Sequence, residues 1–273
     1  MPLDIMPTAK NVTATLHYLQ RGADKPARYV TDPPPGVARW NGIDDPHDMR
    51  IEDARGREAE FTLDRNGFAL IKAPTLVRDF YSEDEVKQIY YPEVERLLRE
   101  TLGASRVFVF DHNVRNAGRP GMAEPSRRVH NDHTINSAPR RVHDHLSAEA
   151  PELLKHRFGI VNVWRPIRGP VLDSPLALCD ARSFTDDDLI ASDLVYTHVR
   201  GETSSVAYRP DHRWYYFSEM QPDEAVLIRV HDSATDGRAR LSFHTSFDNP
   251  LAPDASPRES IEVRSLVFFP PGA

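Results

Sequence analysis

Cysteine is nearly absent: the single Cys179 excludes both a disulfide framework and a thiolate metal cluster. Any metal must then be held by histidine and carboxylate. No stretch approaches the ~18 consecutive apolar residues of a membrane span, and Met1 to Lys10 lack the apolar core of a secretory signal. A soluble, cytoplasmic chain with no membrane partner is expected. A surplus of positive charge is missing too. The formal net charge of −7 argues against nucleic acid, whose binders need a basic stripe to displace phosphate counterions. Glycine is scarce, with 13 glycines against 23 prolines, which suits many short elements joined by stiff turns.

The 273 residues are enough to bury a sizeable core. The 40% hydrophobic and 27% charged fractions are those of a globular protein. Neither repeat nor linker divides the chain. One domain over 1–273 is expected, with an N-terminal α/β extension to about residue 104.

The clearest helix spans Ser82–Leu102. Ser82 and Glu85 have capping-box spacing, and Val86, Ile89, Val94, Leu97, Leu98 and Leu102 form an apolar stripe. Gly103 suits the stop, while Pro92 should kink or divide the helix. A second helix is predicted over Ser147–His156. Most of the remainder reads as strands: Arg106–Asp111, Gly159–Trp164, Ser205–Tyr208, Trp214–Phe217, Glu224–Val230, Arg240–Phe247 and Ile261–Phe269. Short strands after an N-terminal helical section predict a mainly β fold with flanking α-helices. A double-stranded β-helix (a cupin-like jelly roll) fits best. Alternating βαβ units are absent, so a Rossmann sheet is not expected.

The chemistry-bearing residues begin at His130-Asn131-Asp132. Residues two apart on a strand face the same way, so His130 and Asp132 can converge on one ion. With a distant histidine they would make the two-histidine, one-carboxylate set that leaves positions open on iron(II). About one H-x-D is expected by chance in such a chain, so the motif alone carries little. Its order with later residues carries more. Phe243-His244-Thr245-Ser246-Phe247 is followed, fourteen positions after His244, by Arg258-Glu259-Ser260, which opens the last alternating strand. A 2-oxoglutarate pocket needs a metal grip at the keto-acid end and a guanidinium fork with a hydroxyl at the far carboxylate. Arg258 and Ser260 can supply the second. His244 is the favoured third ligand, and His231 and His212 remain alternatives. Arg264 is the alternative to Arg258. Asn162 and Arg165 either sit beside 2-oxoglutarate or substrate, or serve packing and ion pairing. His133, His143, His145 and His156 are expected to face solvent or cap helices.

Further blocks are Gly67-Phe68, Tyr91-Pro-Glu-Val-Glu95, Val129–Thr134, Asn162-Val-Trp-Arg-Pro166, Pro175-Leu-Ala-Leu-Cys-Asp180 and His212-Arg-Trp-Tyr-Tyr216. His244-Thr-Ser-Phe247 and Arg258-Glu-Ser-Ile-Glu-Val-Arg264 complete the series. As a set, from about Ala14 to Phe269, the chain resembles the AsaB/CmcJ-type hydroxylase/desaturases, a branch of the 2-oxoglutarate/iron oxygenases. The resemblance implies a jelly roll with Fe(II) and 2-oxoglutarate, oxidising a small, secondary-metabolite-like molecule with O₂ by hydroxylation or desaturation. A homodimer is compatible with it. Fold alone does not define the reaction. The rivals are a jelly-roll small-ligand-binding protein and a cupin-like metal-dependent isomerase or hydrolase.

Overall fold

The computed structural model describes residues 10–22 and 24–273. Residues 1–9, most of the segment searched for a secretory signal, lie outside them. The strands are β1 (Val12–Leu19), β2 (Ala27–Tyr29), β3 (Asp44–Asp53), β4 (Phe68–Lys72), β5 (Arg106–Asn116), β6 (His130–Asn131) and β7 (Phe158–Pro166). They continue as β8 (Leu176–Cys179), β9 (Leu189–Val195), β10 (Arg200–Val206), β11 (Trp214–Tyr216), β12 (Glu224–Asp232), β13 (His244–Ser246) and β14 (Glu259–Phe268). Nine form one sheet in the order β1-β3-β11-β8-β13-β6-β10-β9-β2, and five form a second in the order β4-β12-β7-β14-β5. An isolated bridge from His17 to Arg128 returns β1 toward the approach to β6, so the large sheet curls. The mainly β jelly roll expected from sequence is the observed class. Among the described residues no helix is long and apolar enough to cross a membrane.

Side-chain alternation divides the five-stranded sheet into two faces. Val161 and Val163 of β7 and Ile261 and Val263 of β14 pack outward against Val86, Val94 and Leu98 of the helical segment. Each such aliphatic burial is worth roughly 1.5–3 kcal/mol. The opposite positions of the same strands, Asn162, Trp164, Ser260, Glu262 and Arg264, form the interior face. One periodicity therefore builds the core and aims the polar groups.

The helical segment starts where the capping residues predict, with Ser82 Oγ accepting from the Glu85 amide. Its first turn, Glu83–Glu85, runs into a π-helical stretch, Val86–Tyr90, and then an α-helix, Tyr91–Leu102. Pro92 lies at the junction between the π-helical stretch and that last part, so the helical hydrogen-bond register changes where its amide is missing. Gly103 ends the helix at φ 65°, which glycine adopts without strain.

Three expectations need correction. The helix predicted at Ser147–His156 is replaced by Ser137–Leu146 and a short turn, Ala150–Leu153. Pro139 stands in the first turn of the longer helix, a position that tolerates it. Within Arg240–Phe247 only His244–Ser246 is strand. The N-terminal section opens with strands rather than helix: β1 pairs with β3, and β3 with β11, inside the large sheet.

Candidate active site

Strand pairing assembles the centre. β6 and β13 are antiparallel with His130 directly opposite His244, so both imidazoles rise on one face. Their ring centroids are 4.4 Å apart. The turn after β6 is clamped by Asn131, whose Nδ2 donates to the carbonyls of His133 (2.6 Å) and Val230 (3.0 Å). That turn brings Asp132 beside both rings. One donor atom from each of His130, Asp132 and His244 lies within 4.8 Å of the other two.

Neighbouring groups leave free one nitrogen of His130, one oxygen of Asp132 and both nitrogens of His244. His130 Nδ1 lies 2.7 Å from the Arg128 carbonyl, which selects the tautomer with its lone pair on Nε2. Nε2 is 3.6 Å from Asp132 Oδ1. The other carboxylate oxygen, Oδ2, accepts from Asn162 Nδ2 (2.7 Å) and Arg264 Nε (3.1 Å). His244 is buried, and neither ring nitrogen has a hydrogen-bond partner among the described residues. Two unpartnered polar atoms in a dry site are costly unless something else binds there. A divalent ion fits this donor set, with two imidazoles and one carboxylate oxygen available to it.

The charges agree with that fit. Burial pushes the His244 imidazole down to about 3, so it stays neutral and able to ligate. Burial opposes ionisation of Asp132, but the Arg264 guanidinium and the adjacent His130 imidazole outweigh it and hold the carboxyl well below its usual range. Burial and then the Asp132 charge push the nearby Glu262 carboxyl up. Arg264 also reaches Asp111 (3.2 Å) and Glu262 (3.2 Å), so it links the ligand carboxylate to two more acids.

Two spaces meet at His130. A narrow inner pocket runs past His244, Trp164, Ser246 and Glu262 to Arg258. A larger outer cavity of about 900 Å³ opens from His130, Asp132 and Arg264 toward β9 and β10. Arg258 is buried with its Cζ 5.3 Å from the Trp164 ring, and it donates to the Ser174 carbonyl. Among the described residues its Nε has no partner, and burial lowers the guanidinium pKa to about 9. That is the state expected of a cation awaiting an anion. Ser260 Oγ is likewise buried and without a partner among the described residues, although Ser126, Thr245 and Ser246 rather than Ser260 line the inner pocket.

The remaining candidates offer no group to a pocket ligand. Asn162 faces the centre but grips Asp132 rather than a pocket ligand. Arg165 falls on the opposite face of β7, because odd and even positions diverge. There it donates to the Ala73 carbonyl (2.9 Å) and to that of Pro222, between the Phe80 and Tyr90 rings. His231 packs against Phe158. His212 stacks on Tyr18 and approaches Asp188 at 3.5 Å. A second R-x-S, Arg240-Leu241-Ser242, bonds to the backbone carbonyls of Asp232 and Cys179. His133 is buried, contrary to expectation, because Ser137 and Phe110 enclose it. Sequence reasoning missed Arg264 as the partner of Asp132, and Glu262 altogether. Both continue the period-two series from Arg258 and Ser260, the signal that could have found them.

A family model described as "Oxidoreductase/YMDC permease-like domain" matches residues 16–268. Curated relatives include the hydroxylase/desaturase efuI of Hormonema carpetanum, 35% identical over 94% of this chain and 95% of that protein. Another is the Fe(II)/2-oxoglutarate-dependent dioxygenase nvfI of Aspergillus novofumigatus, 34% identical over 90% and 92%. A solved structure of the iron and alpha-ketoglutarate-dependent endoperoxidase NvfI superposes with a TM-score of 0.86 at 30% identity, covering 95% of this chain and 98% of that one. Fold and relatives define the class, the Fe(II)/2-oxoglutarate-dependent oxygenases. Within it, the chain belongs to the AsaB/CmcJ-type hydroxylase/desaturase family.

Proposed function

We propose that His130, Asp132 and His244 hold one iron(II). In this reading 2-oxoglutarate lies in the inner pocket with its far carboxylate on Arg258, assisted by Ser260. A small molecule in the outer cavity is hydroxylated or desaturated. The observation that carries the reading is His244, a buried imidazole with both nitrogens unpartnered beside the free Oδ1 of Asp132. With O₂, the bound iron and 2-oxoglutarate supply the oxidant, releasing succinate and CO₂.

The chain's own groups bind, orient and exclude water. Asn162 and Arg264 occupy Asp132 Oδ2, favouring a single-oxygen grip through Oδ1. The Arg128 carbonyl fixes the His130 ring, and such outer partners typically matter 10–100-fold for metal affinity. Arg258 supplies a planar fork against the Trp164 face, suited to a carboxylate. The reading treats residues 1–273 as one oxygenase domain, with about 1–104 as its extension. Its setting is the cytoplasm, and its partners are the substrate, 2-oxoglutarate and O₂.

Adding iron(II) and 2-oxoglutarate under argon tests it. A weak visible charge-transfer band should develop in the native chain and vanish in Asp132→Ala. Absence of any band, together with no succinate in air, would return the chain to the binding-protein or isomerase readings.

A further inference from the structure

The outer cavity carries a charge pattern that the iron and 2-oxoglutarate do not use. Most of its charged groups are mutually satisfied. Lys25 bridges Asp193 (2.5 Å) and Glu202 (2.6 Å), Arg141 meets Asp144 at 3.4 Å, and Arg264 is held by Asp132 and Asp111. Four arginines that line the cavity, Arg28, Arg115, Arg128 and Arg140, form no ion pair with a carboxylate among the described residues, and two of them, Arg28 and Arg128, meet at Trp40. Burial and then the adjacent Arg28 charge disfavour the charged form of Arg128, while Asp44 is the opposing carboxylate that favours it.

Three features make this pair a built site. The Arg128 guanidinium lies 4.1 Å from the centroid of Trp40, a stacking contact that restricts the fork before any ligand arrives. Trp40 is seated on Gly42, where an added Cβ would come within 2.1 Å of the ring, and it bridges by backbone to Arg28. Arg128 is also two residues from His130 in extended chain, a separation of roughly 7 Å. Phe110, Leu194 and Val199 add apolar surface to the same cavity.

We propose that Arg28 and Arg128, ordered by Trp40, form a carboxylate-binding subsite, so that the oxidised substrate is a carboxylic acid with an apolar body. An anion there relieves the repulsion between two cations and accepts paired bonds from a planar guanidinium. The short reach to His130 places the oxidised carbon a few bonds from the carboxylate. The assignment rests on the oxygenase reading for what happens to the substrate, but not for the binding.

The test is calorimetric titration of the full chain, loaded with iron(II) and 2-oxoglutarate under argon. The probes are 1-naphthoate, 1-naphthalenemethanol and 1-naphthyl phosphate. The acid should bind at least about tenfold more tightly than the alcohol, the scale of one charge-assisted hydrogen bond. Arg28→Gln and Arg128→Gln should each remove most of that advantage and leave the alcohol's affinity within about twofold. Arg28 is exposed, so its variant decides the matter if Arg128→Gln misfolds. Equal binding of acid and alcohol, or an advantage that survives both substitutions, overturns the subsite. Preference for the phosphate overturns its assignment to carboxylates. Titrating 2-oxoglutarate into the iron(II)-loaded chain, and the acid into the chain without iron or 2-oxoglutarate, separates the two hypotheses. Absence of 2-oxoglutarate binding counts against the oxygenase, whereas acid binding that depends on Arg28 upholds the subsite.

Discussion

The inner pocket and the outer cavity meet at His130, yet they are built differently. The inner pocket draws on β7, β13 and β14, strands with hydrogen-bonded neighbours on both sides. Its Arg258 is buried and donates to the Ser174 carbonyl, and beside the junction Asn162 and Arg264 hold Asp132. The outer cavity draws on β9 and β10, which are likewise paired on both sides, but also on the short edge strand β2 and on the loops around Trp40 and Thr197. There Arg28 and Arg128 stand without carboxylate partners. Central strands hold atoms to tight tolerances, which suits ligand geometry. Edges and loops accept change cheaply, which suits the choice of substrate. Reaction and selectivity are thereby assigned to separate parts of one β framework.

Substitutions can break or sharpen that contrast. The largest effect is expected at His244→Ala. Succinate formation should fall on the order of a thousandfold with iron affinity, because an inner ligand is lost. His231→Ala should leave iron affinity unchanged, and equal losses in both would overturn the choice of His244. Next comes Arg258→Ala, which should raise the KM for 2-oxoglutarate on the order of a hundredfold while sparing iron binding in the absence of cosubstrate. A KM shift confined to the organic substrate would move Arg258 into the outer region.

Acidification should give the third effect, through three buried imidazoles of which only His244 belongs to the inner pocket. Burial holds the imidazoles of His244 at about 3 and of His133 and His231 at about 4. Unfolded histidines take up protons below about 6.5, whereas these folded ones do not. Their neutral state therefore costs stability as pH falls from about 6.5 toward 4. Metal-free chain should lose up to about 2 kcal/mol per histidine at pH 5, read by urea unfolding. A flat profile would mean that the three rings are solvated. The smallest effect belongs to Asn162→Ala, where iron affinity should drop about tenfold as Asp132 loosens. Visible titration of the charge-transfer band reads it, and no change would show that Arg264 alone orients the carboxylate.

Much of the inner region was legible along the chain. Arg258, Ser260, Glu262 and Arg264 follow a two-residue period, and the apolar stripe of the helix marked the face that covers β7 and β14. The outer region was hidden. Arg28, Trp40 and Arg128 lie up to a hundred positions apart, and no local pattern links them. The strand β3, Asp44–Asp53, was equally opaque, because its exposed half is acidic and only Met49, Ile51 and Asp53 are buried.

By itself the sequence determined the jelly-roll class, the H-x-D pair and the strand that offers Arg258, since all of these depend on short-range periodicity. Only the tertiary structure decided that His244 rather than His231 or His212 stands beside His130, and that Arg165 turns away. Period two states which residues share a face, but not which strand pairs with which. That pairing is a long-range choice, made by burial and backbone hydrogen bonding over the whole sheet.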